Sequence, residues 1–310
     1  MTRRNIRKLG KPPQGYSYRS ILKHSSGFQT LEKARAEDRM RIRLLRRMLK
    51  QDELSADERQ HASALLARFE RAASRKKTPV SLAASVSARK ARKLPLLWLK
   101  FLYDAELDAP GGKATFFTIF PPLTWKYPSG ELANADPRIM LRRFYQHLKG
   151  KDGLPKDGWL FAGLHAEFNP EAECFEFHLH GMVAGSMIER LDSLRNSRTF
   201  GPGQTNSDKS LIQVTREPLR DPVRTITYSC QTWWPMKTDS DPDAPEGRGR
   251  RKRIPEPHHT RMLLWLDRYG LEDITLLARL EVRGGRLIRT GSFYSKQPPE
   301  PVLLSSDPYV

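Results

Sequence analysis

The sequence predicts an α+β fold in which an antiparallel sheet with flanking helices is preceded by a basic, helical N-terminal region. Three observations carry this reading. Residues 1–100 hold 26 Lys and Arg against 8 Asp and Glu, whereas residues 101–310 hold 28 against 27. The hydrophobic period between residues 30 and 75 is helical, and after Gly111-Gly112 it gives way to β-rich runs that alternate with helical ones. Finally, the apolar stretch from Trp159 to Ala184 is broken by the turn residues Asn169-Pro170-Glu171 and reads as a β-hairpin.

Taken in order, residues 1–20 mix Arg, Lys, Gly and Pro without periodicity and read as a flexible basic arm. A helix follows from Thr30 to Lys50, with Met40, Leu44, Leu45, Met48 and Leu49 on its apolar side. Ser55-Ala56-Asp57-Glu58 has the capping-box pattern, and Ala62, Leu65, Leu66, Phe69, Ala72 and Ala73 then recur at helical spacing. These two helices read as a basic helical hairpin, and with the Ser, Ala, Lys and Arg stretch from Lys76 to Lys93 and the apolar run that follows they make up the basic region 21–98, whose candidate phosphate contacts are Arg39, Arg43, Arg46, Arg47, Lys76 and Lys77.

Ala114 to Phe120 is rich in β-formers and is stopped by Pro121-Pro122, so it reads as a strand. Helical spacing returns from Arg138 to Leu148. The hairpin strands are Trp159 to Phe168 and Cys174 to Ala184. Met187 to Leu194 reads as a helix, Ser197 to Ser210 as a polar loop and Leu211 to Thr215 as a strand. Asp221-Pro222 pairs an N-cap with Pro at the first helical position and opens a helix that carries Tyr228. Residues 99–237 are therefore assigned to one domain and 238–257 to a basic, Pro-rich linker that includes Arg250 and Arg251. Residues 258–310 are assigned to a helix, a short hairpin about Gly284-Gly285 and a tail.

Composition narrows the classes. A net charge of +19 calls for a polyanionic partner, and DNA is expected over a lipid surface because the basic helices carry Ala-rich faces without a Trp or Phe cluster. No apolar run reaches membrane-spanning length, and two cysteines, Cys174 and Cys230, are too few for a disulfide framework. The expected location is cytoplasmic.

The chemistry concentrates at His178-Leu179-His180. On a strand, period 2 puts both imidazoles on one face, where they converge on one point and begin a metal site. Glu167 and His165 share that face of the partner strand. Glu167 is expected as the third ligand because a hard oxygen suits Mg²⁺ or Mn²⁺, with Glu176 as the alternative. Cys174 is expected as a small buried filler.

Phe116-Phe117-Thr118-Ile119-Phe120-Pro121 resembles the first motif of rolling-circle replication initiators. His178-Leu179-His180 resembles their histidine-hydrophobe-histidine (HUH) motif, and Tyr228 lies where their nucleophilic tyrosine lies. The resemblance covers roughly residues 99–237. It implies a ferredoxin-like HUH sheet, and a single-tyrosine DNA endonuclease and strand transferase that starts rolling-circle replication of a plasmid-like replicon through a 5′-phosphotyrosine. The metal would be held by His178, His180 and Glu167. The implied partners are a single-stranded or hairpin origin and a host helicase and polymerase.

The chain departs from the family where those enzymes commonly place a lysine three residues after the tyrosine, since Gln231 stands there. Arg224, four residues before Tyr228, is placed to supply the missing cation, and Lys237 is a second substitute. Trp233 and Trp234 are candidates to stack on bases, Trp233 first, with core packing as the alternative for one of the two. The alternatives are a single-tyrosine transposase or relaxase, and a non-catalytic DNA-binding protein on a degenerate HUH scaffold, which Gln231 favours.

Overall fold

Thr30 accepts a hydrogen bond from the backbone N–H of Lys33 and starts helix α1 (Leu31–Met48). Ser55 and Glu58 exchange the two capping-box hydrogen bonds at the start of α2 (Ala56–Ser74). In this computed structural model the described residues are 6–74, 81–120, 122–201, 210–231, 233–237 and 252–290. Lys76, Lys77, Arg250, Arg251 and the tail beyond residue 290 lie outside them, as do most of the polar loop and of the linker.

Helix α3 (Ser85–Leu107) runs straight through the boundary expected at residues 98 and 99. Pro95 forgoes one helix hydrogen bond, but Leu96, Leu97, Trp98, Leu99 and Leu102 are all buried, and their packing keeps the helix continuous. The expected flexible arm is also corrected from residue 6 onward. Ile6 and Leu9 are buried, and the Trp98 indole N–H donates to the Gly10 carbonyl at 3.0 Å.

The main sheet contains β1 (Ala114–Ile119), β2 (Lys126–Pro128), β3 (Trp159–Asn169), β4 (Cys174–Ala184), β5 (Ile212–Val214) and β6 (Thr275–Ala278). Its order is β5-β1-β4-β3-β6, with β2 on the outer half of β4, and every pair is antiparallel. Helices α4 (Pro137–Lys149), α5 (Met187–Ser193) and α6 (Pro222–Tyr228) follow β2, β4 and β5 in turn. A separate hairpin of β7 (Leu280–Arg283) and β8 (Arg286–Arg289) turns at Gly284-Gly285, both at positive φ as its tight turn requires.

The C-terminal segment is not a separate unit. Helix α7 (His258–Arg268) sends Trp265 against Phe177 and Trp234, and β6 pairs with residues 160–163 of β3. That pairing covers backbone groups that β3 would otherwise expose at an edge. The sequence reading missed β2 and β6 because strands of three and four residues leave little periodicity.

Alternation along β3 and β4 sorts the two faces. Phe175, Phe177 and Leu179 point away from the histidines, where Trp234 and Trp265 pack on the two phenylalanines. Trp159, on the histidine face, donates to Glu106 of α3, so α3 lies over that face. One continuous set of buried residues joins α1, α2 and α3 to the sheet, and the N-terminal helices are therefore part of a common core. Among the described residues no helix is long and apolar enough to cross a membrane.

Ion pairs reinforce the same joint. Asp267 of α7 accepts from His61 and Arg68 of α2 and from Ser81, and Glu37 of α1 pairs with Arg41 and with Arg253 just ahead of α7. Burial pushes the Glu37 carboxyl up, but the Arg253 hydrogen bond and the Arg41 charge outweigh it and hold it down at about 2. A folded-state value below the ordinary 4.5 means the pair stabilises the fold above pH 4.5, an effect lost as pH falls toward 2. Glu37→Gln should therefore cost about 3 kcal/mol at pH 7. The gap to wild type should shrink in urea melts repeated at pH 3; an equal gap at both pH values would contradict the linkage.

Candidate metal centre

Register builds the site. Across the hairpin, His165 stands opposite His178, and Gly163 opposite His180, so three imidazoles share one face. Ring centroids lie 4.7 Å apart for His178 and His180, 5.0 Å for His165 and His180, and 5.8 Å for His165 and His178. One nitrogen from each ring lies within 4.8 Å of the others, and all three residues are buried. His178 Nδ1 is 3.3 Å from the Glu176 carbonyl, which can only accept, so in the neutral ring that nitrogen is the donor and Nε2 has the lone pair. The Thr118 hydroxyl lies 2.9 Å from His180 Nδ1.

These donors fit a divalent metal ion, since neutral imidazoles converge where a cation needs them. The converging group differs from the expected ligand set. Glu167 sits one row further along the sheet, opposite Glu176 and half-buried, and is outside the converging group. Two residues along a strand is about 7 Å, and it is His165, not Glu167, that stands directly opposite His178. Glu176 is engaged elsewhere, with Lys126 at 3.1 Å, Lys237 at 3.2 Å and the Asn169 amide donating at 3.2 Å. Burial pushes its carboxyl up, but Asn169 and the two lysines outweigh this and hold it below the usual range. Cys174 is buried and outside the group, and burial raises its thiol.

Tyr228 closes over the cluster. It is the last residue of α6, half-buried, with its ring 4.4 Å from His180, 5.8 Å from His165 and 6.3 Å from Phe116. Phe116 in turn stacks on His180. Asp221 caps α6 by accepting from the Arg224 N–H, and Ile226 and Thr227 are buried beneath it.

Two glycines admit this helix. A Cβ on Gly163 would lie 1.9 Å from the Ser229 carbonyl oxygen, and one on Gly27 would lie 2.0 Å from Thr227 Oγ1. The absent side chain of Gly163 lets the chain leaving α6 approach the sheet beside His180.

Other expected residues divide. Arg224 is exposed one turn before Tyr228, on the same helical face. Gln231 does not share that face, because α6 ends at Tyr228 and the chain has left the helix by residue 231. Lys237 is held at Glu176. Trp234 is core, packed on Phe175, Phe177 and Trp265, and Trp233 is half-buried. Arg39, Arg43, Arg46 and Arg47 are exposed on α1, and the first three line a surface groove with Ala36 and Ile42. Arg46 pairs with Glu70, whereas Arg39 and Arg43 have no acidic partner among the described residues. Sequence reasoning missed Gly163 and the site role of Thr118, although a lone glycine in a buried strand was a visible sign of close backbone approach.

No protein-family model, curated protein or solved structure matches the chain.

His165→Ala should weaken divalent-metal binding by at least about 10-fold, whereas Glu167→Gln should leave it within about twofold. Calorimetric titration with Mn²⁺ separates the two, and the reverse ranking would restore Glu167 as the ligand. Gly163→Ala should cost about 1–3 kcal/mol in a thermal or urea melt, because backbone must move.

Proposed function

We propose that the protein is a metal-dependent DNA nicking and strand-transfer enzyme that uses Tyr228 as nucleophile and initiates rolling-circle replication of a plasmid-like replicon. The observation that carries this reading is the Tyr228 ring, 4.4 Å from His180 above a buried cluster of three histidines. A tyrosine ring against metal-competent imidazoles is what phosphoryl transfer to a phenol needs. The strand order β5-β1-β4-β3, with α4 before β3 and α5 before β5, supports a ferredoxin-like arrangement of the endonuclease core.

His165, His178 and His180 would hold the ion. When bound, a divalent metal polarises a non-bridging phosphate oxygen and neutralises its charge. Imidazole-only donors suit a transition ion, so of the two expected ions Mn²⁺ fits better than Mg²⁺. The burial of Ile226 and Thr227 and the close approach at Gly163 hold the Tyr228 ring at the cluster. Its Oη forms a bond to phosphorus as the bond to the 3′-oxygen breaks. The phenol gives up its proton and the departing 3′-oxygen takes one up. One phosphodiester replaces another, so the strand can later be rejoined and the free 3′-hydroxyl can prime synthesis. Arg224, exposed one turn before Tyr228, would offset negative charge at the phosphate, and the exposed arginines of α1 would hold flanking phosphates.

Incubation with single-stranded origin DNA from the replicon and Mn²⁺ should give a protein–DNA adduct that survives denaturation. Tyr228→Phe and the double variant His178→Ala/His180→Ala should abolish it. Salt-sensitive binding without any adduct on a substrate containing the origin would instead assign the protein a non-catalytic DNA-binding role.

A further inference from the structure

A buried arginine stands behind the tyrosine helix. Arg92 of α3 is 6% exposed and donates through Nη2 to the Thr227 carbonyl at 2.9 Å. Its guanidinium lies over the Phe28 ring, 5.8 Å from the centroid. It has no carboxylate partner among the described residues, and its Nε has no hydrogen-bond partner there. Burial lowers its pKa only to about 10, so it is charged at neutral pH.

A charge buried without a counterion is costly, and such an arginine is a poor choice for stability alone. What it does hold is specific. Thr227 immediately precedes Tyr228, and its carbonyl belongs to the last turn of α6, where helix carbonyls lack intrahelical donors and carry partial negative charge. Gly27, next to Phe28, packs on the Thr227 hydroxyl and the Arg224 carbonyl. The N-terminal segment and α3 together thus grip the end of the helix that presents the tyrosine, and Ser229 seats on Gly163 from the other side.

We propose that Arg92 is a positioning residue that fixes Tyr228 over the three histidines by holding the Thr227 carbonyl. The N-terminal region therefore completes the site in addition to presenting basic residues to DNA. The position of Tyr228 follows from the structure alone; the effect on catalysis rests on the nicking reading.

The test places 3-fluorotyrosine at position 228 of the full chain and records its ¹⁹F resonance without metal or DNA. Wild type should show a broadened resonance displaced from free 3-fluorotyrosine, because the ring packs on His180 and Phe116. In Arg92→Met the resonance should move to the free value and sharpen, while the melting temperature stays equal or rises. Adduct formation should fall about 100-fold. A folded Arg92→Met that keeps the wild-type resonance would overturn the inference, as would a wild-type resonance already at the free value. A melting temperature that drops with the resonance unmoved would assign Arg92 a purely structural role. If Arg92→Met does not fold, Arg92→Gln is judged by the same resonance. Absence of adduct in wild type would sink the nicking reading and leave the fluorine result to decide the positioning role.

Discussion

The register of the β3–β4 hairpin is the constraint on which the rest of the site depends. Eleven residue pairs run from Trp159 opposite Ala184 to Asn169 opposite Cys174. Within that ladder, His165 meets His178 and Gly163 meets His180. A slip of one residue would turn the β3 partners to the opposite face, and the third imidazole would leave the cluster. The register is well determined because both faces of the hairpin are buried: Phe175 and Phe177 must reach Trp234 and Trp265, while Trp159 must reach Glu106. Packing on the far face thus sets the metal-competent face.

From this ladder the molecule builds outward in both directions along the chain. On the histidine face, α3 and α6 close over the sheet, and Gly27 and Gly163 remove the Cβ atoms that would keep the tyrosine helix away. Toward the sheet edge, β6 extends β3 and brings α7 with it. The ionic links at Asp267 and Glu37 then fasten α1 and α2 to the segment around α7. Segments far apart in sequence are joined through one core, and the basic helices are part of it.

Charge follows a different logic from packing. Arg41 and Arg92 are buried and hold backbone carbonyls, Arg46 and Arg253 are paired with acids, and Arg39 and Arg43 stay exposed without acidic partners among the described residues. Part of the basic excess therefore organises the fold. The exposed remainder is what an anionic partner can meet, and on α1 it includes Arg39, Arg43 and Arg47.

Local pattern determined much of what can be read here. The helical spacing of α1 and α2, the capping box at Ser55, the turn at Asn169-Pro170, the two-residue period of the histidines and the Asp221-Pro222 helix start are all encoded within a few residues, so each was legible in the sequence. Which carboxylate or imidazole completes the histidine pair was not, because period 2 allows both His165 and Glu167, and only cross-strand register distinguishes them. The chain leaving α6 seats Ser229 on Gly163, a contact between residues sixty-six positions apart that no local pattern encodes. The strand role of residues 275–278 and the joining of 21–98 to the sheet likewise depended on partners distant in the chain. Short-range order follows from the chemistry of neighbouring residues, whereas the site depends on long-range pairing that only the tertiary structure decides.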